Sequence, residues 1–233
     1  ERLERVMNVI IEELVEGGVI GGENVVMDAT FIKAYSRRDP HDNSRGSSDS
    51  DARVGRSGKT YELGYKAHIT ADSESELPVA FIAAPANQNE KKHAYKLLEK
   101  TLKATRGRVK TLVADSQYSS RKLRERISAH GVEAVIPYPA NQCPREKGLL
   151  RVDKHFRTQG PTRDRRIYRR RASIERMTSR LKEQLGLNRH RVRGLRSIAV
   201  HALLCIITML LIALAASRLK RPEKARSIAL LGW

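Results

Sequence analysis

Cysteine and aromatic residues are scarce in this sequence, and acidic residues are the minority charge. The two cysteines among 233 residues, Cys143 and Cys205, exclude a disulfide-stabilised scaffold and a multi-cysteine zinc module, and they fit a reducing compartment. Aromatic residues make up 5% of the chain, so stacking of bases on aromatic side chains is not predicted as its main binding mode. An acidic residue beside an apolar segment therefore stands out, because a buried carboxylate is costly unless it is paired.

Basic residues are in large excess. The chain has 45 Lys and Arg against 26 Asp and Glu, a formal net charge of +19, which makes a polyanion the expected partner. Residues 151–196 contain 16 basic and 4 acidic residues and so carry a large part of this excess. A surface this one-sided would repel itself without an anionic partner, which favours contact with phosphates.

A long apolar run covers residues 198–216 and is interrupted only by His201 and Thr208. Its length is sufficient for a membrane span. However, a histidine and several small alanines also fit a helix packed inside a protein. The run is interpreted as a core helix, and no membrane partner is predicted.

The hydrophobic periodicity predicts a mixed α/β chain. Helices are predicted over 1–16, 89–103, 119–130, 164–186 and 197–219, strands over 24–27, 61–71, 77–84, 109–114 and 132–137, and an exposed loop over 36–60. Three consecutive strands can form an antiparallel meander, after which a helical crossover returns the chain to a parallel strand of the same sheet. This order matches the ribonuclease H-like fold, with three antiparallel strands, then parallel strands, and flanking helices.

Two acidic residues follow apolar strands: Asp28 comes after NVVM, and Asp115 comes after VKTLVA. Either residue alone fits a cap or a turn. Adjacent strands would bring both carboxylates to one place, and their mutual repulsion would then require a cation. Hard oxygen ligands select magnesium or manganese.

A candidate third acid, Glu175, lies in the predicted helix 164–186. At the helical angle per residue, four residues share an arc of roughly 60° beside the apolar stripe; they are Tyr168, Arg171, Glu175 and Lys182. In the alternative interpretation the helix is an exposed basic one, and Glu175 only pairs with Arg171 one turn away. Spacing alone leaves both interpretations open.

These residues carry a resemblance to a known family. The run Tyr168-x2-Arg171-x3-Glu175-x6-Lys182 resembles the Y-R-E-K signature of a large group of insertion-sequence DDE transposases. The stretches DATFIKAYS, SDSDARVGRSGKTYELGYKAHITAD and TLVADSQYSS resemble the first and second acid regions of that group. The resemblance implies a ribonuclease H-like catalytic domain over residues 20–219. Residues 1–19 would be the tail of a missing N-terminal helical region, and residues 220–233 a C-terminal tail.

The resemblance also implies roles for residues. Asp28, Asp115 and Glu175 would be the catalytic acids and would bind two divalent metal ions, Mg or Mn. Tyr168, Arg171 and Lys182 would contact phosphates near the cut strand, and the outward-facing Arg169, Arg170 and Arg176 are predicted to contact the DNA backbone. The implied partners are double-stranded DNA, as transposon ends and as target, and a second copy of the chain in a homodimeric synaptic complex. The implied location is cytoplasmic and nucleoid-associated.

The predicted activity is therefore metal-dependent DNA strand cleavage followed by strand transfer. Two alternatives remain open. One is a catalytically inactive basic DNA-binding remnant of an insertion sequence, and the other is a ribonuclease H-fold metal nuclease that cuts without joining. A joining assay on pre-cut ends distinguishes the transposase from both, and divalent-metal binding distinguishes the remnant from the nuclease.

Overall fold

Six strands and six helices, connected by turns and loops, make up residues 1–139, 141 and 163–228, which are the residues described by the computed structural model. The helices are α1 (Arg2–Glu16), α2 (Lys91–Ala104), α3 (Arg121–Ala129), α4 (Arg163–Tyr168), α5 (Ala172–Glu183) and α6 (Leu195–Arg218). The strands are β1 (Asn24–Lys33), β2 (Arg53–Ser57), β3 (Thr60–Asp72), β4 (Pro78–Pro85), β5 (Thr111–Ala114) and β6 (Glu133–Val135).

The strands form one mixed sheet in the order β2-β3-β1-β5-β6, with β4 also paired to β3. The long strand β3 is antiparallel to β1 on one side, and to β2 and β4 on the other. Strand β1 is parallel to β5, which is in turn parallel to β6. The predicted antiparallel meander, followed by parallel strands, is therefore confirmed.

The structure differs from the prediction in the segment 36–60, which was predicted to be an exposed loop. Its end forms strand β2, which pairs with the first part of β3. The sequence of β2, RVGRS, has no apolar alternation, so its pairing with β3 is what makes it a strand. A Cβ atom at Gly55 would lie 2.2 Å from the backbone oxygen of Ala86, so this close approach requires glycine.

Helices cover both faces of the sheet. Helices α1, α5 and α6 pack against one face, and α2 and α3 pack against the other. Strand β1 contributes to both layers, because Val26 and Ile32 point to the first while Val25 and Met27 point to the second. Helix α1 buries Met7, Ile11 and Leu14 in the same core as α6. The predicted domain division, with α1 as the tail of another region, stays a prediction.

Helix α6 is long and apolar enough to cross a membrane by length and composition alone. Half of its apolar window is buried inside the protein, where α6 packs against α1 and β4. Ile198, Ile206, Leu210 and Ala213 lie in the core. This packing is that of a core helix, as the sequence indicated.

The predicted single helix over 164–186 is divided in the structure. Helix α4 ends at Tyr168, a 3₁₀ turn covers Arg169–Arg171, and α5 begins at Ala172. The break rotates the side chains before it relative to those after it, because a 3₁₀ turn is wound more tightly than an α-helix. Cys143 lies outside the described residues, as do residues 229–233.

Candidate active site

The parallel pairing of β1 with β5 places the two strand-associated acids side by side. The register joins Asn24–Met27 to Thr111–Ala114, so Asp28 and Asp115 occupy the next position on adjacent strands. Strand β5 ends there, whereas β1 continues to Lys33. The edge of β1 beyond Asp28 is therefore not paired with β5, and it opens into a cavity.

Each of these carboxylates also accepts a local hydrogen bond. Asp28 accepts one from the backbone N–H of Ala29 at 2.8 Å. Asp115 accepts one from the backbone N–H of Gln117, also at 2.8 Å, and thereby caps the 3₁₀ turn Ser116–Tyr118. Asp115 is therefore a cap, as its residue type favours, and it also lies beside Asp28.

The cavity at this edge of the sheet has a volume of about 750 Å³ and a strongly charged lining. Three acidic and five basic side chains line it: Asp28, Glu90 and Asp115, and Arg56, Lys66, Lys91, Arg171 and Lys182. A polar cavity that alternates carboxylates with ammonium and guanidinium groups is suited to a ligand that carries both anionic groups and metal ions.

Arg171 connects the third predicted acid to the first. One terminal nitrogen of its guanidinium lies 3.1 Å from a carboxylate oxygen of Asp28, and the other lies 3.3 Å from a carboxylate oxygen of Glu175. The 3₁₀ turn places Arg171 immediately before α5, which packs on β1. The guanidinium of Arg171 thus lies between the carboxylates of Asp28 and Glu175. The ion pair between Arg171 and Glu175, which the alternative interpretation predicted, is part of this arrangement.

The side chain of Glu175 is 59% exposed, and Glu175 is not among the residues that line the cavity. In the part of the chain that the structure describes, no three Asp, Glu, His or Cys side chains are grouped closely enough to hold a metal ion. The structure therefore brings Asp28 and Asp115 together directly, and it brings Glu175 to them only through Arg171.

Burial governs the electrostatics of the two strand acids. Burial raises the pKa of Asp28 above its ordinary value, and the adjacent Arg171 only partly offsets this. Burial also raises the pKa of Asp115, and the charge of Asp28 raises it further. The ionised forms are unfavourable beside each other in a desolvated setting, so a bound cation would stabilise them.

The predicted phosphate contacts are placed differently from one another. Lys182 lines the cavity, and burial lowers its pKa. Tyr168 packs against the apolar core, and burial raises the pKa of its phenol. Arg169 and Arg170 are exposed, with a guanidinium nitrogen of Arg170 3.7 Å from a carboxylate oxygen of Glu74. Their predicted roles toward DNA stay predictions.

Arg176 has a partner inside the protein. Its guanidinium lies 2.6 Å from the buried carboxylate of Glu76, which also pairs with Arg180 at 3.1 Å and with Arg226 at 3.3 Å. Glu76 belongs to the turn between β3 and β4, and the pairs with Arg176 and Arg180 attach α5 to the sheet. The helical wheel placed Arg176 on an outer face, but it could not show that a turn of the sheet reaches that face.

Sequence reasoning missed one further pair in the cavity. The ammonium of Lys66 on β3 lies 2.6 Å from the carboxylate of Glu90, just before α2, and both side chains are largely buried. One feature of the sequence could have indicated this pair: Lys66 lies between apolar residues in the middle of a strand. The neighbouring Asn89 accepts a hydrogen bond from the Lys91 backbone N–H at 3.0 Å.

The chain is similar to known transposases in sequence. The family described as Transposase DDE domain matches residues 21–211. The transposase for insertion sequence element IS1106 of Neisseria meningitidis serogroup B is 31% identical over an alignment of 149 residues, and the match covers 58% of this chain and 50% of that relative. The match therefore spans half the length of this curated relative.

The chain is also similar to solved structures. The cryo-EM structure of a piggyBac transposase synaptic complex with hairpin DNA has a TM-score of 0.50 at 11% identity, covering 87% of this chain and 50% of that chain. A Mos1 transposase paired-end complex with left transposon end has a TM-score of 0.33 at 12% identity, covering 76% and 60%, a likeness too weak to support an argument. The mixed sheet and the first of these neighbours confirm the predicted ribonuclease H-like fold.

The matched range 21–211 includes β1 with Asp28, the end of β5 with Asp115, and α5 with Glu175. The resemblance to insertion-sequence DDE transposases is thereby confirmed, while assignment to the Y-R-E-K group stays a prediction. The chain belongs to the transposase DDE domain family.

Proposed function

We propose that this chain is the catalytic domain of an insertion-sequence transposase that cuts DNA strands and transfers the freed ends to target DNA. The observation that carries the proposal is the in-register placement of Asp28 and Asp115 at the floor of a cavity with basic walls. Such a pair is costly to bury without a cation, and basic walls of this kind attract phosphates.

The residues at this site fit divalent metal ions by the chemistry of their donors. Asp28 and Asp115 offer adjacent carboxylate oxygens, the ligand type that Mg²⁺ and Mn²⁺ prefer. Glu175 would complete the set once it exchanges its contact with Arg171 for the metal. When bound, two such ions activate the attacking oxygen and stabilise the leaving oxygen of a phosphodiester. Asp28 and Asp115 would be the first residues to hold these ions.

The basic side chains of the site would position the DNA. Arg171 and Lys182 line the cavity together with Asp28, so they can hold phosphate oxygens near the reacting bond. A phosphate that binds Arg171 would compete with its two carboxylate partners. DNA binding would in this way release Glu175 toward the metal site, which couples substrate binding to assembly of the site.

The similarity to other proteins supports double-stranded DNA as the partner. The family and the Neisseria relative are transposases, and the piggyBac structure is a synaptic complex with hairpin DNA. We extend three expectations to this chain: it acts on transposon ends and target DNA, it works as a homodimer when two ends are paired, and it is located with the nucleoid.

The test uses supercoiled plasmid and pre-cut duplex ends of the parent element, with Mg²⁺ or Mn²⁺. Wild-type protein is expected to nick the plasmid and to join the pre-cut ends to a target. Asp28→Asn, Asp115→Asn and Glu175→Gln should each abolish both reactions, whereas the exposed Asp42→Asn should not. Cutting without joining would support the nuclease alternative. Binding of DNA without metal binding or cutting would support the inactive remnant.

A further inference from the structure

Lys66 and Glu90 form an ion pair at the candidate active site that has no role in the proposed function. Both residues line the same cavity as Asp28 and Asp115. The side chain of Lys66 is 13% exposed and that of Glu90 is 11% exposed, so the pair is largely removed from water. A buried ion pair is weak evidence for stability, because desolvation offsets its attraction. Its position at the site calls for a functional explanation.

The geometry of the ammonium leaves it room for a further contact. Lys66 points one N–H at the carboxylate of Glu90, 2.6 Å away, and another at the backbone oxygen of Gln88, 3.4 Å away. A lysine ammonium has three donors, and two of them are used within the part of the chain that the structure describes, so the third can serve a ligand in the cavity. Because two contacts fix the orientation of the ammonium, little side-chain entropy is lost when the third donor is used.

The charges around the cavity agree with this use. Arg171 pairs with Asp28, and Lys66 pairs with Glu90. All four residues line the cavity, so it holds two cations next to its carboxylates. A phosphodiester in the cavity would meet both. The same physical device exists in protein kinases, where a strand lysine held by a helix glutamate contacts the phosphates of ATP.

We propose that Lys66 binds a phosphate oxygen of the nucleic acid in the cavity and that Glu90 positions its ammonium for that contact. The proposal rests on the proposed function, because it assigns a second phosphate contact to the same site. Lys66 is thus a phosphate-binding residue and Glu90 is a positioning residue, which holds Lys66 and does not touch the substrate.

The experiment compares Lys66→Met, Glu90→Gln and the double variant of the full chain in plasmid nicking and in binding to a short DNA duplex. Lys66→Met should slow nicking roughly a hundredfold. Glu90→Gln should slow nicking while DNA affinity stays equal or rises, because the variant keeps the lysine but loses a negative charge. The double variant is expected to fold, since replacing both partners of a buried pair is often neutral for stability.

The double variant separates the two roles that the pair could have. If the pair were only structural, neutralising both partners would restore nicking to the wild-type rate. A phosphate-binding lysine predicts that the double variant stays as slow as Lys66→Met. Its net charge equals that of wild type, yet the slope of log affinity against log salt should fall by about one, because one phosphate contact is lost.

The matched control is the Lys100–Glu4 ion pair, which is partly buried and lies outside the cavity. The Lys100→Met and Glu4→Gln double variant should keep both the nicking rate and the salt slope. The slope of log affinity against log salt is measured without divalent metal, so it tests Lys66 independently of cleavage. If the wild-type protein cut no DNA, that result would contradict the proposed function and not the role of Lys66. A Lys66/Glu90 double variant with wild-type nicking and an unchanged slope would overturn the inference.

Discussion

Asp28 and Asp115 are neighbours on parallel strands, each one residue beyond the last paired residues Met27 and Ala114. The sequence separates them by more than a third of the chain, yet the register of two short strand segments brings their carboxylates to one end of the sheet. Because β5 stops at that point while β1 continues, the pair lies at an open edge rather than inside the sheet. The expected consequences for catalysis, stability and binding can each be measured.

Replacing Asp115 by Asn should abolish strand cleavage and leave DNA affinity equal or higher. The amide has nearly the same shape but cannot supply a charged metal ligand, and the loss of a negative charge removes repulsion of the phosphates. Plasmid nicking and duplex binding by the same protein preparation measure both effects. Asp42→Asn, in the exposed loop, is the control. Cleavage by Asp115→Asn at the wild-type rate would place the metal site elsewhere.

Asp115→Asn should also stabilise the fold at neutral pH in the absence of metal. Burial and the charge of Asp28 raise the pKa of Asp115 in the folded protein, so the ionised carboxylate disfavours folding. This cost is fully present above the raised pKa and disappears as the pH falls below the ordinary value of 3.8, where the carboxyl is protonated in both states. Thermal unfolding across this pH range measures the difference.

Added Mg²⁺ should reverse the order of stability. A divalent ion that binds the folded wild-type protein raises its melting temperature by mass action, whereas Asp115→Asn has lost a ligand and should respond less. Melting curves with Mg²⁺ and with EDTA test this prediction without any catalytic assay. An equal response of both proteins would contradict a metal site at Asp115.

Arg171→Lys should slow cleavage by roughly tenfold or more, because one ammonium cannot reproduce the fork that reaches both Asp28 and Glu175. The charge is retained, so binding of nonspecific duplex should change little. Arg189→Lys, on an exposed arginine, provides the same chemical change away from the site. If Arg171→Lys cleaved normally, the bridging geometry would have no part in assembling the site.

Glu76→Gln should destabilise the fold by about 3 kcal/mol, because it leaves the arginines that the buried carboxylate holds without their common partner. Urea unfolding measures the change. Glu74→Gln is the control, since the exposed Glu74 pairs with Arg170 at 3.7 Å and its loss should cost no more than about 0.5 kcal/mol. Equal costs for the two variants would show that Glu76 does not anchor α5.

Replacing Arg169 and Arg170 together by Gln should reduce the salt dependence of DNA binding by up to about two units of slope. Arg176→Gln should affect stability more than the slope, because Arg176 is already engaged with Glu76. Duplex binding at several salt concentrations, with urea unfolding in parallel, separates the two effects. If the double replacement left the slope unchanged, Arg169 and Arg170 would not contact DNA, and the DNA-binding surface would lie elsewhere.

Local patterns in the sequence determined most of the helices and strands, the core assignment of α6 and the position of Asp115 at the end of a strand. These features depend on the periodicity of apolar residues over short stretches, and neighbouring residues set that periodicity. Asp28 was predicted to follow a strand as well, but it lies inside β1, which continues to Lys33. Helix geometry placed Glu175 and Lys182 on a shared arc, and the resemblance to DDE transposases implied their roles. The family and the fold were therefore predictable before any contact was known.

Only the tertiary structure decided which charged groups meet. Strand β2 exists because it pairs with β3, and its own sequence carries no strand pattern. Arg171 reaches Asp28 across 143 positions, Lys66 reaches Glu90 across 24, and Arg180 reaches Glu76 across 104. No local period encodes such pairs, because they follow from strand register and helix docking. The sequence thus determined which residues carry charge beside the core, and the packing of the sheet with α5 decided which carboxylate each cation holds.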